Sequence, residues 1–200
     1  MKNFITFEGM DGAGKSTHLA TFANALRARG HQVIVTREPG GTLLGEQLRD
    51  ILLQQKMSND AEALLMFAAR AEHVVQVIKP ALAAGNVVIS DRFSDATFAY
   101  QGAARGMDWA RLQALESWVQ QGLQPDLTLF FDVTVKVSKQ RLANNVSLDK
   151  FEQEQSEFFE RVRAGYHRRV AEQPSRYVVL DATQTIEKVA LQLSKVLDAL

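Results

Sequence analysis

Residues 4–17, Phe-Ile-Thr-Phe-Glu-Gly-Met-Asp-Gly-Ala-Gly-Lys-Ser-Thr, constrain this chain more than any other stretch. Four apolar or β-favouring residues run into Gly9, and Gly14, Lys15 and Ser16 complete the pattern G-x-x-x-x-G-K-S. A helix-forming run over 19–29 follows, so the pattern lies between a strand and a helix, the context of a phosphate-binding P-loop. Gly9, Gly12 and Gly14 allow a tight turn whose N–H groups converge on phosphate oxygens. The following helix aims its N-terminal dipole and free amides at the same anion. Lys15 supplies a mobile positive charge, and the Ser16 hydroxyl is a candidate Mg²⁺ ligand. The motif therefore predicts binding of nucleotide phosphates.

Around this loop, short β-rich runs alternate with longer helical patterns. Strands are predicted over 4–7, 33–35, 87–90, 127–131 and 177–180, mostly as continuous apolar runs of the kind covered on both faces of a parallel sheet. Helices are predicted over 16–29, 43–54, 60–84, 108–121, 136–144, 150–172 and 185–197, separated by turns at Gly30, Gly85, Gly122, Pro125 and Pro174. The alternation predicts a doubly wound α/β fold with its site outside the carboxyl ends of the strands. Two hundred residues suit a single domain, and no internal repeat or linker interrupts it. With 23 basic and 23 acidic residues the net charge is zero, so no overall field favours nucleic acid or a membrane. The absence of cysteine excludes disulfides, thiol catalysis and Cys-ligated metals. No apolar run approaches the ~20 residues needed to span a bilayer. The first strand begins too early to leave room for a signal peptide, and the expectation is a cytoplasmic protein.

Polar residues gather just after the predicted strands. The second strand leads into Thr36-Arg-Glu-Pro-Gly-Gly-Thr42, where Arg37 has the geometry to grip phosphate or carboxylate in two bonds. The third ends in Ser90-Asp-Arg-Phe93: Asp91 is a candidate Mg²⁺ ligand, directly or through water, and Arg92 a candidate for neutralising an acceptor phosphate. A plain surface ion pair is the alternative for the Asp91-Arg92 dipeptide alone. The fourth and fifth strands end at Asp132 and Asp181.

Taken together, residues 7–17, Arg37-Glu-Pro-Gly-Gly-Thr42, Asp91-Arg-Phe93, Ala99-Tyr-Gln-Gly102 and Pro125-Asp-Leu-Thr128 resemble, in order and spacing, the bacterial thymidylate kinases. The resemblance covers essentially the whole chain. It implies transfer of the γ-phosphoryl group of ATP to dTMP with Mg²⁺, a P-loop fold with a five-stranded parallel core, a mobile lid at about 141–152 and a homodimer. It implies ATP contacts from Gly9, Met10, Asp11, Gly12, Ala13, Gly14, Lys15, Ser16 and Thr17, with Arg141 and Ala182. Asp11 would lie near the acceptor phosphate and the 3′-hydroxyl. Arg92, with Arg37 or Arg49, would hold the dTMP phosphate, and Pro39 belongs to the same loop. Arg70, Thr97 and Gln101 would read the thymine, and Tyr100 would pack where a 2′-hydroxyl would otherwise sit.

Two positions depart from the family pattern. A stacking Phe four residues before the base-reading Arg is replaced by Met66, with Phe67 adjacent; one of the two is expected to stack on the base. The lid carries few cations, leaving Arg141 and Lys150 to supply transition-state charge, while Arg161, Arg163, Arg168 and Arg169 read as a solvated helix face. His18, His31, His73 and His167 form no ligand constellation and receive no role. The alternatives are a kinase for another pyrimidine nucleotide or nucleoside, and a non-kinase P-loop switch. The guanine-reading N-K-x-D tetrapeptide is absent, and two arginine-bearing loops beside the P-loop favour an acceptor.

Overall fold

The five apolar runs are β-strands in the computed structural model, which describes residues 2–142, 151 and 154–200. They are β1 (Phe4–Glu8), β2 (Val33–Arg37), β3 (Val87–Asp91), β4 (Leu127–Asp132) and β5 (Tyr177–Asp181). Each runs past its apolar pattern at the carboxyl end, where pairs such as Arg37 with Asp91 and Asp132 with Asp181 stay in register. Ladder bonds come from the backbone, so polar side chains extend a strand without breaking it. All pairings are parallel, in the order β2-β3-β1-β4-β5. β1, β3 and β4 are almost wholly buried, as expected of strands covered on both faces. β2 is not: it is an edge strand whose Ile34 and Val35 are exposed.

The helices are α1 (Lys15–Ala28), α2 (Leu43–Gln54), α3 (Asn59–His73), α4 (Lys79–Ala83), α5 (Ser94–Thr97), α6 (Trp109–Gln120), α7 (Val135–Leu142), α8 (Ser156–Glu172) and α9 (Ile186–Asp198). Thr42, Ser58, Asp108 and Thr185 cap α2, α3, α6 and α9 by accepting a backbone N–H three residues on. The long helix expected over 60–84 is divided by a π-helical turn, Val74–Ile78, before Pro80. Proline cannot donate to the ladder, and the wider turn absorbs the missing bond. The helices expected over 136–144 and 150–172 are described only as α7 and α8, because residues 143–150, 152 and 153 lie outside the described residues.

One helical segment was not expected. After Arg92 the chain forms α5 and continues as π-helix through Phe98–Ala104. This segment packs tightly against α8, where a side chain at Gly165 would meet Ala103 and the Ala99 backbone at 2.7 and 2.8 Å. A buried ionic knot fastens the same layer: Asp95 Oδ1 accepts from Arg169 Nε at 2.8 Å and Arg176 Nη2 at 2.9 Å, and Arg169 also reaches Glu116. Arg169 is therefore an interior residue, not part of the solvated face that the sequence suggests. The Asp95 carboxyl is pushed up by burial, but Arg176 and Arg169 outweigh this and hold it below its ordinary range.

Candidate active site

β1 lies at the centre of the sheet with β3 on one side and β4 on the other, so the chain order switches direction at its carboxyl end. Such a switch leaves a crevice, and here the P-loop opens into it. Gly9 has φ 140°, and an added Cβ would lie 2.6 Å from the Phe131 carbonyl oxygen, so only glycine lets the loop leave β1 against β4. The loop then turns through Gly12 and Gly14, both with positive φ, into α1, whose first-turn amides have no intrahelical acceptors. Lys15 folds back, its Nζ donating to the Gly9 carbonyl at 3.0 Å. Burial, and then the nearby Arg92, pull its ammonium below the ordinary lysine range. Ser138 on α7 braces the loop by donating to the Asp11 carbonyl at 2.6 Å, and Arg141 donates to the carbonyls of Gly12 and Gln184 at 3.2 and 3.3 Å.

Beside the loop lies a cleft of about 630 Å³. Asp11 and Arg92 stand where the loop and the cleft meet, with Arg92 Nη2 2.5 Å from Asp11 Oδ1. Arg92 Nη1 also donates to the Gly9 carbonyl at 2.9 Å, and Tyr100 donates to Asp11 Oδ2 at 2.9 Å. Burial pushes the Asp11 carboxyl up, but Arg92 and Lys15 outweigh it, leaving it below the usual carboxylate range. Arg92 holds a left-handed backbone, φ 70°, uncommon outside glycine and a strain seen where surrounding structure fixes a functional side chain. Glu8 does the fixing: its Oε1 accepts the Phe93 N–H at 2.6 Å and its Oε2 accepts from Tyr166, which also touches Arg92. Burial, reinforced by Asp95, pushes the Glu8 carboxyl up to about 8.

The far end of the cleft is built on α3 and α5. Arg70, 2% exposed, donates Nε to Glu38 Oε2 at 2.7 Å and Nη2 to the Phe93 carbonyl and to Thr97. Its Nη1 is buried without a partner. Glu38 is held in turn by His73, which also hydrogen bonds with Thr36 at 2.6 Å. Met66, Thr97 and Gln101 line the cleft with Arg70, Tyr100 lies on its Asp11 side, and Pro39 and Arg49 also line it, Arg49 donating to the Pro39 carbonyl. The Glu38–Pro39 peptide is cis.

Three residues named from the sequence lie elsewhere. Phe67 is 2% exposed in the core with Ala63, Phe98 and Leu112, because a one-residue step on a helix turns a side chain about 100°. Arg37 pairs with Glu46, at 2.7 Å, outside this cleft; it faces a second one that it shares with Ser16 and Asp91. Ala182 is buried, its N–H donating to the Asp132 carbonyl, and lines neither cleft. Thr17 is exposed on the first turn of α1. Lys150 lies outside the described residues. Glu8, Glu38, His73 and Tyr166 received no role from sequence, and their signal is weak: each is a polar residue whose partners are tens of residues away.

The family description "Thymidylate kinase" matches residues 7–193. The proteins it resembles include thymidylate kinases of Cupriavidus pinatubonensis, 59% identical over 199 residues, and of Ralstonia nicotianae, 58% identical over 201, each alignment covering 98% of both chains. That of Janthinobacterium sp. (strain Marseille) is 60% identical over 190 residues, covering 95% of this chain and 93% of its own.

Proposed function

The chain belongs to the thymidylate kinase family and phosphorylates dTMP with ATP, and on that premise we propose how its residues share the reaction. The observation that carries the proposal is that the P-loop residue Asp11 also lines the adjoining cleft, where Arg92 binds both its carboxylate and the Gly9 carbonyl. ATP is assigned to the amides of residues 9–17 and to Lys15, with its γ-phosphate toward the cleft. dTMP is assigned to the cleft: its phosphate to Arg92 and Arg49, its deoxyribose to Asp11 and Tyr100, its base to Met66, Arg70, Thr97 and Gln101. Arg37, turned away toward Glu46, is left out of the acceptor set.

No nucleophilic side chain is required, because a phosphate oxygen of dTMP attacks the γ-phosphorus as the bond to the β-phosphate oxygen breaks. The residues work by positioning two anions in line and offsetting their repulsion. Arg92 is suited to this, since its guanidinium is already held by Gly9, Asp11 and Tyr166 and needs little reorganisation. Arg141, exposed on α7 beside the P-loop, and Lys150 are the proposed further sources of charge, and a lid over about 141–152 is proposed to close over ATP within a single domain.

Ser16 and Asp91 fit a Mg²⁺ ion: they line one cleft, and Asp91 Oδ1 is buried without a hydrogen-bond partner. Held by these two residues, Mg²⁺ would supply positive charge that offsets the charge on the nucleotide phosphates. We further propose a homodimer, supported by the exposure of Leu64, Val75 and Trp118. The cytoplasm is the proposed place of work, and among the described residues no helix is long and apolar enough to cross a membrane.

The test is ADP formation from ATP and Mg²⁺ with dTMP, dUMP, UMP, CMP, AMP, thymidine or no acceptor. Strong turnover with dTMP, weaker turnover with dUMP and almost none without acceptor is expected. Preference for another acceptor overturns the cleft assignment, and acceptor-independent hydrolysis overturns the kinase reading.

A further inference from the structure

At the far end of the cleft stand one unpartnered donor and one unpartnered acceptor, and a residue behind them decides which is which. The donor is Arg70 Nη1, buried, unpartnered and unable to accept. Gln101, 1% exposed, lines the same end, and its amide has nearly the same shape whichever way it faces. Its direction is settled by Glu62, whose Oε1 lies 2.8 Å from Gln101 Nε2 and 2.9 Å from Arg105 Nε. A carboxylate in an ion pair only accepts, so Gln101 turns its NH₂ toward Glu62. Its carbonyl oxygen, which has no hydrogen-bond partner among the described residues, is left for the cleft. Arg105 is itself fixed: it pairs with Glu154 at 2.9 Å and lies over the Phe158 ring.

We propose that Glu62, held by Arg105, is a specificity-determining positioning residue that selects 4-oxo over 4-amino pyrimidines by setting the direction of the Gln101 amide. The proposal rests on the reading that this cleft receives the base of dTMP. Thymine and uracil offer a carbonyl at C4 and an N–H at N3, the complement of the Arg70 donor and the Gln101 acceptor. Cytosine offers an amino group at C4 and a lone pair at N3, so donor would meet donor and acceptor would meet acceptor. The bases are close to isosteric at this edge, so shape discriminates little and unpaired polar groups discriminate strongly. Glu62 touches no substrate and acts only through Gln101.

The test is Glu62→Gln in the full chain, measuring kcat and KM with dTMP, dUMP and dCMP, with thermal melting alongside. Glutamine at this position both donates and accepts, which frees the Gln101 amide to flip. The dTMP-to-dCMP ratio of kcat/KM is expected to fall by at least about tenfold, mainly through KM, while the dTMP-to-dUMP ratio, which reads only the methyl group, changes little. A merely structural role would lower all three substrates together, and an unchanged dTMP-to-dCMP ratio in the folded variant overturns the proposal. Arg105→Gln, at the partly exposed rim, removes the guanidinium that keeps Glu62 an acceptor and is expected to move the ratio the same way. If Glu62→Gln does not fold, an unchanged ratio in Arg105→Gln overturns the proposal instead. A wild-type enzyme that does not distinguish dTMP from dCMP refutes the base assignment of the cleft, and the proposal with it.

Discussion

Replacing Gly9 by alanine isolates how much of the P-loop depends on its fit against β4. At φ 140° the new Cβ would stand 2.6 Å from the Phe131 carbonyl oxygen and 3.3 Å from the Phe131 Cβ. That oxygen belongs to the backbone of a buried strand and cannot swing aside as a side chain would. Gly30 is the control: its φ is 91°, and a Cβ there meets nothing within 4 Å. Both alanines carry the strain of a backbone that L residues avoid, about 1–3 kcal/mol. Only Gly9→Ala adds overpacking, about 1–3 kcal/mol more. For a chain of this size each kcal/mol lowers Tm by about 2–4 °C, so Gly9→Ala is expected to melt roughly 2–12 °C below Gly30→Ala. Turnover should separate the two further. Gly30→Ala keeps the wild-type kcat, whereas a P-loop displaced on the order of 1 Å loses about a hundredfold. Thermal unfolding and dTMP-dependent ADP release measure both effects. Equal melting losses, or normal turnover in Gly9→Ala, would falsify the argument that contact with β4 shapes the loop.

The neighbours Met66 and Phe67 should behave differently. Met66→Ala is expected to raise KM for dTMP about tenfold, roughly 1.4 kcal/mol, whereas Phe67→Ala should lower stability by about 3–5 kcal/mol; steady-state kinetics and denaturant unfolding would expose a reversal. Asp95→Ala takes the shared carboxylate from Arg176 in the interior, while Arg169 keeps Glu116, and is expected to cost about 3–5 kcal/mol; a loss below about 1 kcal/mol in urea titrations would refute the clamp. Glu8 governs a pH effect. Its folded-state carboxyl, raised from 4.5 to about 8, binds its proton more tightly than the unfolded chain does. Stability from this group is therefore present below about pH 4.5 and is lost as pH rises through about 8, every tenfold difference in proton affinity between the two states being worth about 1.4 kcal/mol. Glu8→Gln should flatten that slope in stability measured from pH 5 to 8.5, and an unchanged slope would assign the effect to another group.

Local chemistry made much of this protein legible from sequence. The glycines, Lys15 and Ser16 declare a phosphate loop because a tight turn and a helix start are built from consecutive residues. The apolar runs declare a parallel sheet, and with it a site at the carboxyl ends of the strands. Arg92, Tyr100 and Gln101, carried by short motifs, and Arg70 and Thr97, implied by the family resemblance, all line one cleft. Tertiary structure alone decided which of two adjacent residues faces the cleft, because a helix turns about 100° per residue and only packing against Phe98 and Leu112 makes Phe67 interior. It turned Arg37 toward Glu46 and drew Arg169 inward onto Asp95, although both arginines look like ordinary surface charge in the sequence. It also assembled the residues that aim the site: Glu8 on Phe93 and Tyr166, His73 and Glu38 on Arg70, Glu62 on Gln101. A buried polar group must find a partner wherever the fold brings one, and these partners stand 32 to 158 residues away along the chain. Sequence patterns report what a few neighbouring residues do together, whereas hydrogen bonds across such separations exist only once the chain has folded.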